Sequence, residues 1–268
     1  DALRFMLATG ISPGNDTRFQ EERLESARNF ANKLWNASRF VLMNLGGDGD
    51  GDGTAPAVSI EADLSKLALR EEDRWIMSRV NEAAGAATEA MDKFELGMAA
   101  QRVYEVIWNE YCDWYIEIVK SRLYGDDVED KRVACSVLVA ALKDMLRMLH
   151  PFMPFITEEI WGSLPGAQGF LMCADWPVYR QDRRYPEETA VLETAMAAVR
   201  AIRSIRVEAD APPSRKLSAL ILADGDAARA LAAGERYLCK LANLTSVSFI
   251  RDKASLPEDV MSAVIDGG

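Results

Sequence analysis

Four groups of residues in this chain have types and spacings that could do chemistry. Asp48, Asp50, Asp52 and Gly53 alternate carboxylates ahead of a glycine, like the first half of a calcium loop. The other half is missing, since Ser59 stands where a bidentate glutamate is needed and Pro56 interrupts the run. It reads as an acidic linker, and no metal site is assigned. His150 closes a helical pattern before Pro151, with no cysteine or serine signature nearby, and is expected to be structural. Arg200, Arg203 and Arg206 form a ridge that could grip phosphates, but pairing with carboxylates such as Glu193 is the commoner fate of surface arginines. Met98, Met145, Met148 and Met153 fall at helical spacing among apolar residues and are expected to fill the core. The sequence has no phosphate-cradling glycine loop, no GxSxG elbow and no metal-protease motif. No catalytic residue is assigned.

The stretch "RNFANKLWNASRF" (28–40) is different. As a helix it groups Ala31, Leu34 and Trp35 on one side and Asn29, Lys33, Asn36, Phe40 and Met43 on the other, flanked by Asn32 and Arg39. Amides can read base edges, cations can hold phosphates, and a ring can stack on a base, which together make a single-strand binding face. Periodicity alone leaves a second role for Phe40, packed beneath the Asp-rich loop or against the C-terminal part of the chain. A helical adaptor that docks a protein partner through the same face is the rival function.

These residues need a scaffold. Residues 1–8 read as the end of a helix, and "TGISPGND" as a loop. A long helix fits 18–45, with Leu24, Ala27, Ala31, Leu34, Ser38, Leu42 and Leu45 as its apolar stripe. "GGDGDGDGTAPA" breaks it as a flexible linker. Further helices are predicted over 71–94, 97–123 after a turn at Gly97, 130–149 and 155–163. The third of these five long patterns (97–123) has a wide apolar arc, Val103, Ile107, Tyr111, Trp114 and Ile118 with Trp108 and Tyr115, so it should pack against several neighbours. Asp113, Trp114 and Tyr115 are placed in the bundle core. Beyond Trp161, "FLMCADWP" reads as extended, 187–208 as a helix, "KLSALILA" as a strand, "DAARALAAGERYLCKLAN" as one helix, "TSVSFIR" as a second strand and "SAVID" as a short third. The fold class is mainly α, an antiparallel helical bundle followed by a small α/β appendage.

The chain has 268 residues and a net charge of −11, so any nucleic-acid contact must come from a local patch or from outside this segment. Four scattered cysteines without CxxC spacing exclude a zinc or disulfide framework and suit the cytosol. No apolar run reaches the ~18 residues that a bilayer crossing needs. The sequence opens on Asp1 inside a helical pattern and reads as a piece of something longer.

"DALRFMLATG", "SPGND", "RNFANKLWNASRFVLMN", "DRWIMSRVN", "VYEVIWNEYCDWYIEIVK" and "MLRMLHPFMPFITEEIW", in this order, resemble the anticodon-binding region of valyl-tRNA synthetases, and "VRAIRSIRVEADAPPSRKLSALI" resembles the segment after it. The "CDWY.E" and "HP..PF..EEIW" elements are shared with isoleucyl- and leucyl-tRNA synthetases, while "RNFANKLWNASRF" points to the valyl family. The resemblance implies residues 1–16 as the tail of a connection from an upstream catalytic domain. It implies 17–163 as the anticodon-binding bundle, 164–186 as a connecting segment and 187–268 as a C-terminal α/β subdomain. It implies a partner, the anticodon stem-loop of valine tRNA, and contact with that catalytic domain, in a cytoplasmic monomer. ATP and magnesium would belong to the parent enzyme, with no cofactor in this segment. Phe40 is expected to stack on an anticodon base, with Arg23, Asn29, Lys33, Asn36 and Arg39 contacting base edges or phosphates.

Overall fold

The apolar patterns of the first 163 residues form helices in the computed structural model, which describes residues 1–9, 19–46, 58–212, 214–250, 252 and 260–265. Helix α1 spans Ala2–Ala8, α2 Glu21–Asn44 and α3 Glu71–Asp92. The next helix runs from Leu96 to Leu123 in three stretches: α4 (Leu96–Glu105), a π-helical segment (Val106–Tyr115) and α5 (Ile116–Leu123). Helix α6 (Val128–Leu149) and α7 (Pro154–Ser163) complete the bundle.

Local chemistry sets the ends. Asp127 accepts from the amides of Glu129 and Asp130, both at 3.0 Å, which caps α6. Pro154 opens α7, where its missing N–H costs nothing. The Asp1 carboxylate accepts from the amides of Phe155 (3.2 Å) and Ile156 (2.6 Å), so the chain's first residue caps a helix more than 150 positions away. The turn before α4 differs from the expectation at Gly97. Phe94 takes the left-handed conformation (φ 59°) with its ring in solvent, and Gly97 lies inside α4.

Trp75, Ile107, Tyr111, Tyr115, Leu138 and Leu142 are among the fully buried side chains. Met145, Met148 and Met153 are core residues, whereas Met98 is exposed, contrary to expectation. Beneath the start of α3 lies a buried ion cluster. The Arg122 guanidinium donates to Asp73 Oδ1 (2.7 Å), Asp130 Oδ1 (2.8 Å) and Glu72 Oε1 (3.3 Å). Tyr115 also donates to Asp73 Oδ1, at 2.7 Å, and Asp73 Oδ2 accepts from the Arg70 amide. Burial opposes the Arg122 charge, but the Asp73 bond and carboxylate override it and raise its pKa further.

By contacts the chain divides into two units, Asp1–Arg184 and Tyr185–Gly268. Residues 176–180 are strapped along α3. The Asn81 amide pairs in both directions with the Arg180 backbone (2.8 and 2.7 Å), Trp176 Nε1 donates to Thr88 (2.8 Å), and a Cβ on Gly85 would stand 3.2 Å from the Tyr179 ring. "FLMCADWP" is not extended throughout, because Leu171–Cys173 makes a 3-10 turn.

The second unit contains α8 (Pro186–Glu208), β1 (Leu217–Leu222), α9 (Gly225–Ala233), α10 (Glu235–Leu241) and β2 (Leu244–Ile250), with the strands parallel. One helix was expected between the strands. Gly234 divides it, at a point where a Cβ would stand 3.0 Å from that of Ala195 on α8. The expected strand at "SAVID" is not formed over 262–265, and Asp266 lies outside the described residues. Two arginines of the ridge make contacts with main-chain carbonyls. Arg203 donates to the Leu241 carbonyl, and the buried Arg206 donates to the carbonyls of Pro212 (3.0 Å) and Arg215 (2.7 Å), so these guanidinia hold backbone.

Candidate nucleic-acid interface

Helix α2 presents the candidate face, but its buried side is turned from the expected stripe. Ala27, Phe30, Leu34, Ala37, Ser38, Val41 and Leu45 are buried, while Leu24, Ala31 and Leu42 are only partly covered and Trp35 is 39% exposed. Phe30 explains the rotation. Its ring packs 5.1 Å from that of Phe5 on α1 and 4.8 Å from that of Tyr104 on α4. Such ring pairs add to ordinary burial, so they outweigh the alanines in setting the helix phase.

Opposite that side, Asn29, Asn32, Asn36, Arg39 and Met43 are exposed. Arg28 is exposed beside them, and Glu21, Glu22 and Glu25 crowd the first turns of α2. The acidic residues of α2 are therefore all at one end of this helix. The remaining two-thirds of the outer face carries amides and cations.

Phe40 is half-buried, neither free in solvent nor inside the bundle. Lys120 Nζ lies 5.8 Å from its ring centroid, near the outer limit of a cation–π contact, and 2.5 Å from Glu117 Oε1. Lys33 is engaged more tightly, 2.5 Å from Asp113 Oδ1 and 3.7 Å from the centroid of Trp108. Asp113, placed in the core on sequence grounds, is exposed, with 47% of its side chain open. Its neighbours Trp114 and Tyr115 are buried. Arg23 does not point to the outer face. Its guanidinium donates to the carbonyls of Met6 (3.3 Å) and Thr9, clamping α1 to α2. The structure thus brings Asn29, Lys33, Asn36, Arg39 and Phe40 to one face and puts Arg23 elsewhere.

Trp108, Asp113 and Lys120 were missed as participants. The π-helical segment is the reason: its last bond runs from the Ile116 amide to the Tyr111 carbonyl, five residues back, and the wider turn shifts the phase that 3.6-residue counting assumes. Burial raises the Cys112 thiol to about 12 despite nearby Lys33, and raises the Tyr104 hydroxyl with help from Asp113.

Other candidates carry less. His150 Nδ1 lies 2.8 Å from Thr157 Oγ1, which ties the end of α6 to α7. Among the described residues, no group of three or more His, Cys, Asp or Glu is placed to hold a metal, and no helix is long and apolar enough to cross a membrane. Asp48, Asp50 and Asp52 lie outside the described residues.

Residues 73–221 match the family model described as the anticodon-binding domain of tRNA ligase. The whole chain is 43% identical to a valine–tRNA ligase of Clostridium acetobutylicum and 38% identical to one of Staphylococcus aureus. It spans 29% and 30% of the lengths of those relatives. Among solved structures, LeuRS of Agrobacterium radiobacter, in a ternary complex with tRNA and LeuAMS, superposes with a TM-score of 0.50 at 20% identity. That match covers 69% of this chain and 20% of the other, and shows the fold.

Proposed function

Because the chain belongs to the family of anticodon-binding domains of tRNA ligases, we propose that it holds the anticodon stem-loop of valine tRNA as the RNA-reading segment of a cytoplasmic, monomeric valine–tRNA ligase. Attachment of valine with ATP and magnesium takes place in another part of that longer protein, with which this segment is in contact. One observation carries the reading. Phe40 is half-buried on the outer shoulder of α2, with Asn29, Asn36 and Arg39 open to solvent on the same face.

An unstacked anticodon base lies on Phe40, where Lys120 is far enough from the ring to leave its face open. Asn36, one turn back on α2, supplies a donor and an acceptor for that base's edge. Arg39 and Lys33 approach the phosphates, and Asn29 extends the amide row. The acidic first turns of α2 repel phosphate and fix which end of the face RNA can occupy. With a net charge of −11, affinity rests on this local patch and falls steeply with salt.

The test is a titration of the chain with valine tRNA and with the same tRNA carrying a changed anticodon. The changed RNA binds more weakly, and Phe40→Ala removes the difference. Stacking is worth about 1–3 kcal/mol per base, so the loss on the cognate RNA is on the order of 5- to 150-fold. Equal binding of the two RNAs by the unaltered chain refutes the reading.

A further inference from the structure

Two assemblies of the same composition line the groove between α2 and the Leu96–Leu123 helix. In one, the Trp108 ring is faced by Lys33 Nζ at 3.7 Å, and Asp113 Oδ1 holds that ammonium at 2.5 Å. In the other, the Phe40 ring is faced by Lys120 Nζ at 5.8 Å, and Glu117 Oε1 holds that ammonium at 2.5 Å. The elements exchange parts: the lysine comes from α2 in the first, the ring in the second. Lys33 and Phe40 are seven residues apart on α2, and Asp113 and Lys120 are seven apart on the facing helix, so the helices run side by side in the same direction. At 1.5 Å per residue the assemblies are about 10 Å apart along α2.

From this geometry we infer that Trp108 is a second base-stacking platform, covered in the free protein by Lys33 and opened when RNA displaces that ammonium. The inference rests on the reading of Phe40 given above and adds to it a second, gated position. Trp108 is only partly covered and ends a row of rings, stacked at 5.7 Å on Tyr104, which in turn packs on Phe30. That row fixes the indole plane from behind, so its outer face is held ready without further ordering. Lys33, which lies over the ring, is a flexible side chain that can follow a phosphate instead. Bases stacked on each other are ~3.4 Å apart along a strand. The lysine over Trp108 and the Phe40 ring are thus rooted about 10 Å apart along α2, well beyond one stacking step, which suits two bases splayed from one single strand. The platforms differ in access, since Lys120 stands 5.8 Å from the half-buried Phe40 ring whereas a base reaching Trp108 must expel Lys33 at 3.7 Å.

The experiment uses anticodon stem-loop RNAs, intact and with one abasic nucleotide at each loop position in turn, titrated against the chain and its Trp108→Leu, Trp108→Phe and Phe40→Leu variants. Trp108→Leu weakens the intact RNA about tenfold, in the range that one lost stack gives. One abasic RNA shows no further loss with that variant, and its position differs from the one that behaves so with Phe40→Leu. Trp108→Phe retains most of the affinity. A second readout needs no destabilising change: RNA quenches the emission that the unaltered chain has in excess of Trp108→Phe, and the abasic RNA of that position does not. If Phe40→Leu couples to one position while Trp108→Leu loses the same factor on every RNA, and the excess emission is not quenched, the second platform is overturned and the first stands. If neither ring couples to any position, both are overturned.

Discussion

Arg122→Met tests what holds the bundle together beneath the start of α3. The substitution keeps an unbranched apolar side chain and removes a guanidinium only 3% exposed, while Asp73 and Glu72 (0% and 4%) stay in place. Tyr115 and the Arg70 amide still serve Asp73, and Arg70 still pairs with Asp130 at 2.7 Å. Glu72 and one side of Asp73 lose the Arg122 charge in a buried site. Removing one partner of a buried pair costs about 3–5 kcal/mol, mostly because the other charge is stranded. For a unit of this size each kcal/mol lowers Tm by roughly 2–4 °C, so the helical unit should melt about 6–20 °C earlier. Thermal unfolding followed by circular dichroism measures this. A drop under about 2 °C would show that the cluster does not carry this load.

Two other perturbations follow from the same structure. Burial lowers the pKa of His150, the sole histidine, against the opposing pull of Glu158. The unfolded chain therefore takes the proton first. Stability is complete above the free-histidine value of ~6.5 and declines as pH drops below it. Urea midpoints from pH 8 to 5.5 should show this decline, and His150→Gln should flatten it. At Gly234 a Cβ would meet Ala195 Cβ at 3.0 Å and the Ala230 carbonyl at 3.2 Å, so Gly234→Leu should destabilise the second unit by about 1–3 kcal/mol in chemical unfolding, with Gly234→Ala milder.

The bundle was legible in the sequence because its helices are separated by strong breakers and each has a regular apolar period. Pro154 and Pro186 open helices that the sequence places over 155–163 and 187–208. The phase of α2 was not legible. Ala31, Leu42 and Trp35 look as apolar as Phe30, Ala37 and Val41, and the choice is made by the rings of Phe5 and Tyr104, which lie far away in sequence. The same limit governs the cations. By residue type Arg23, Lys33 and Arg39 are equivalent, yet the first holds carbonyls of α1, the second holds a carboxylate eighty residues on, and the third is exposed. The strand pairing partner was correctly anticipated only as an α/β unit, since nothing local says that Gly234 must let α8 approach so closely.

The π-helical stretch makes the groove depend on length as well as on residue identity. Each residue of an α-helix turns the chain by about 100°. Losing one residue between Trp108 and Tyr115 would tighten the wide turn to an ordinary α-turn and leave Glu117 and Lys120 near their places, whereas a loss between Tyr115 and Lys120 has no wide turn to absorb it and would swing Lys120 to another side of the bundle. In that ordinary helix a deletion acts like a slipped gear tooth, taking every later contact out of mesh at once.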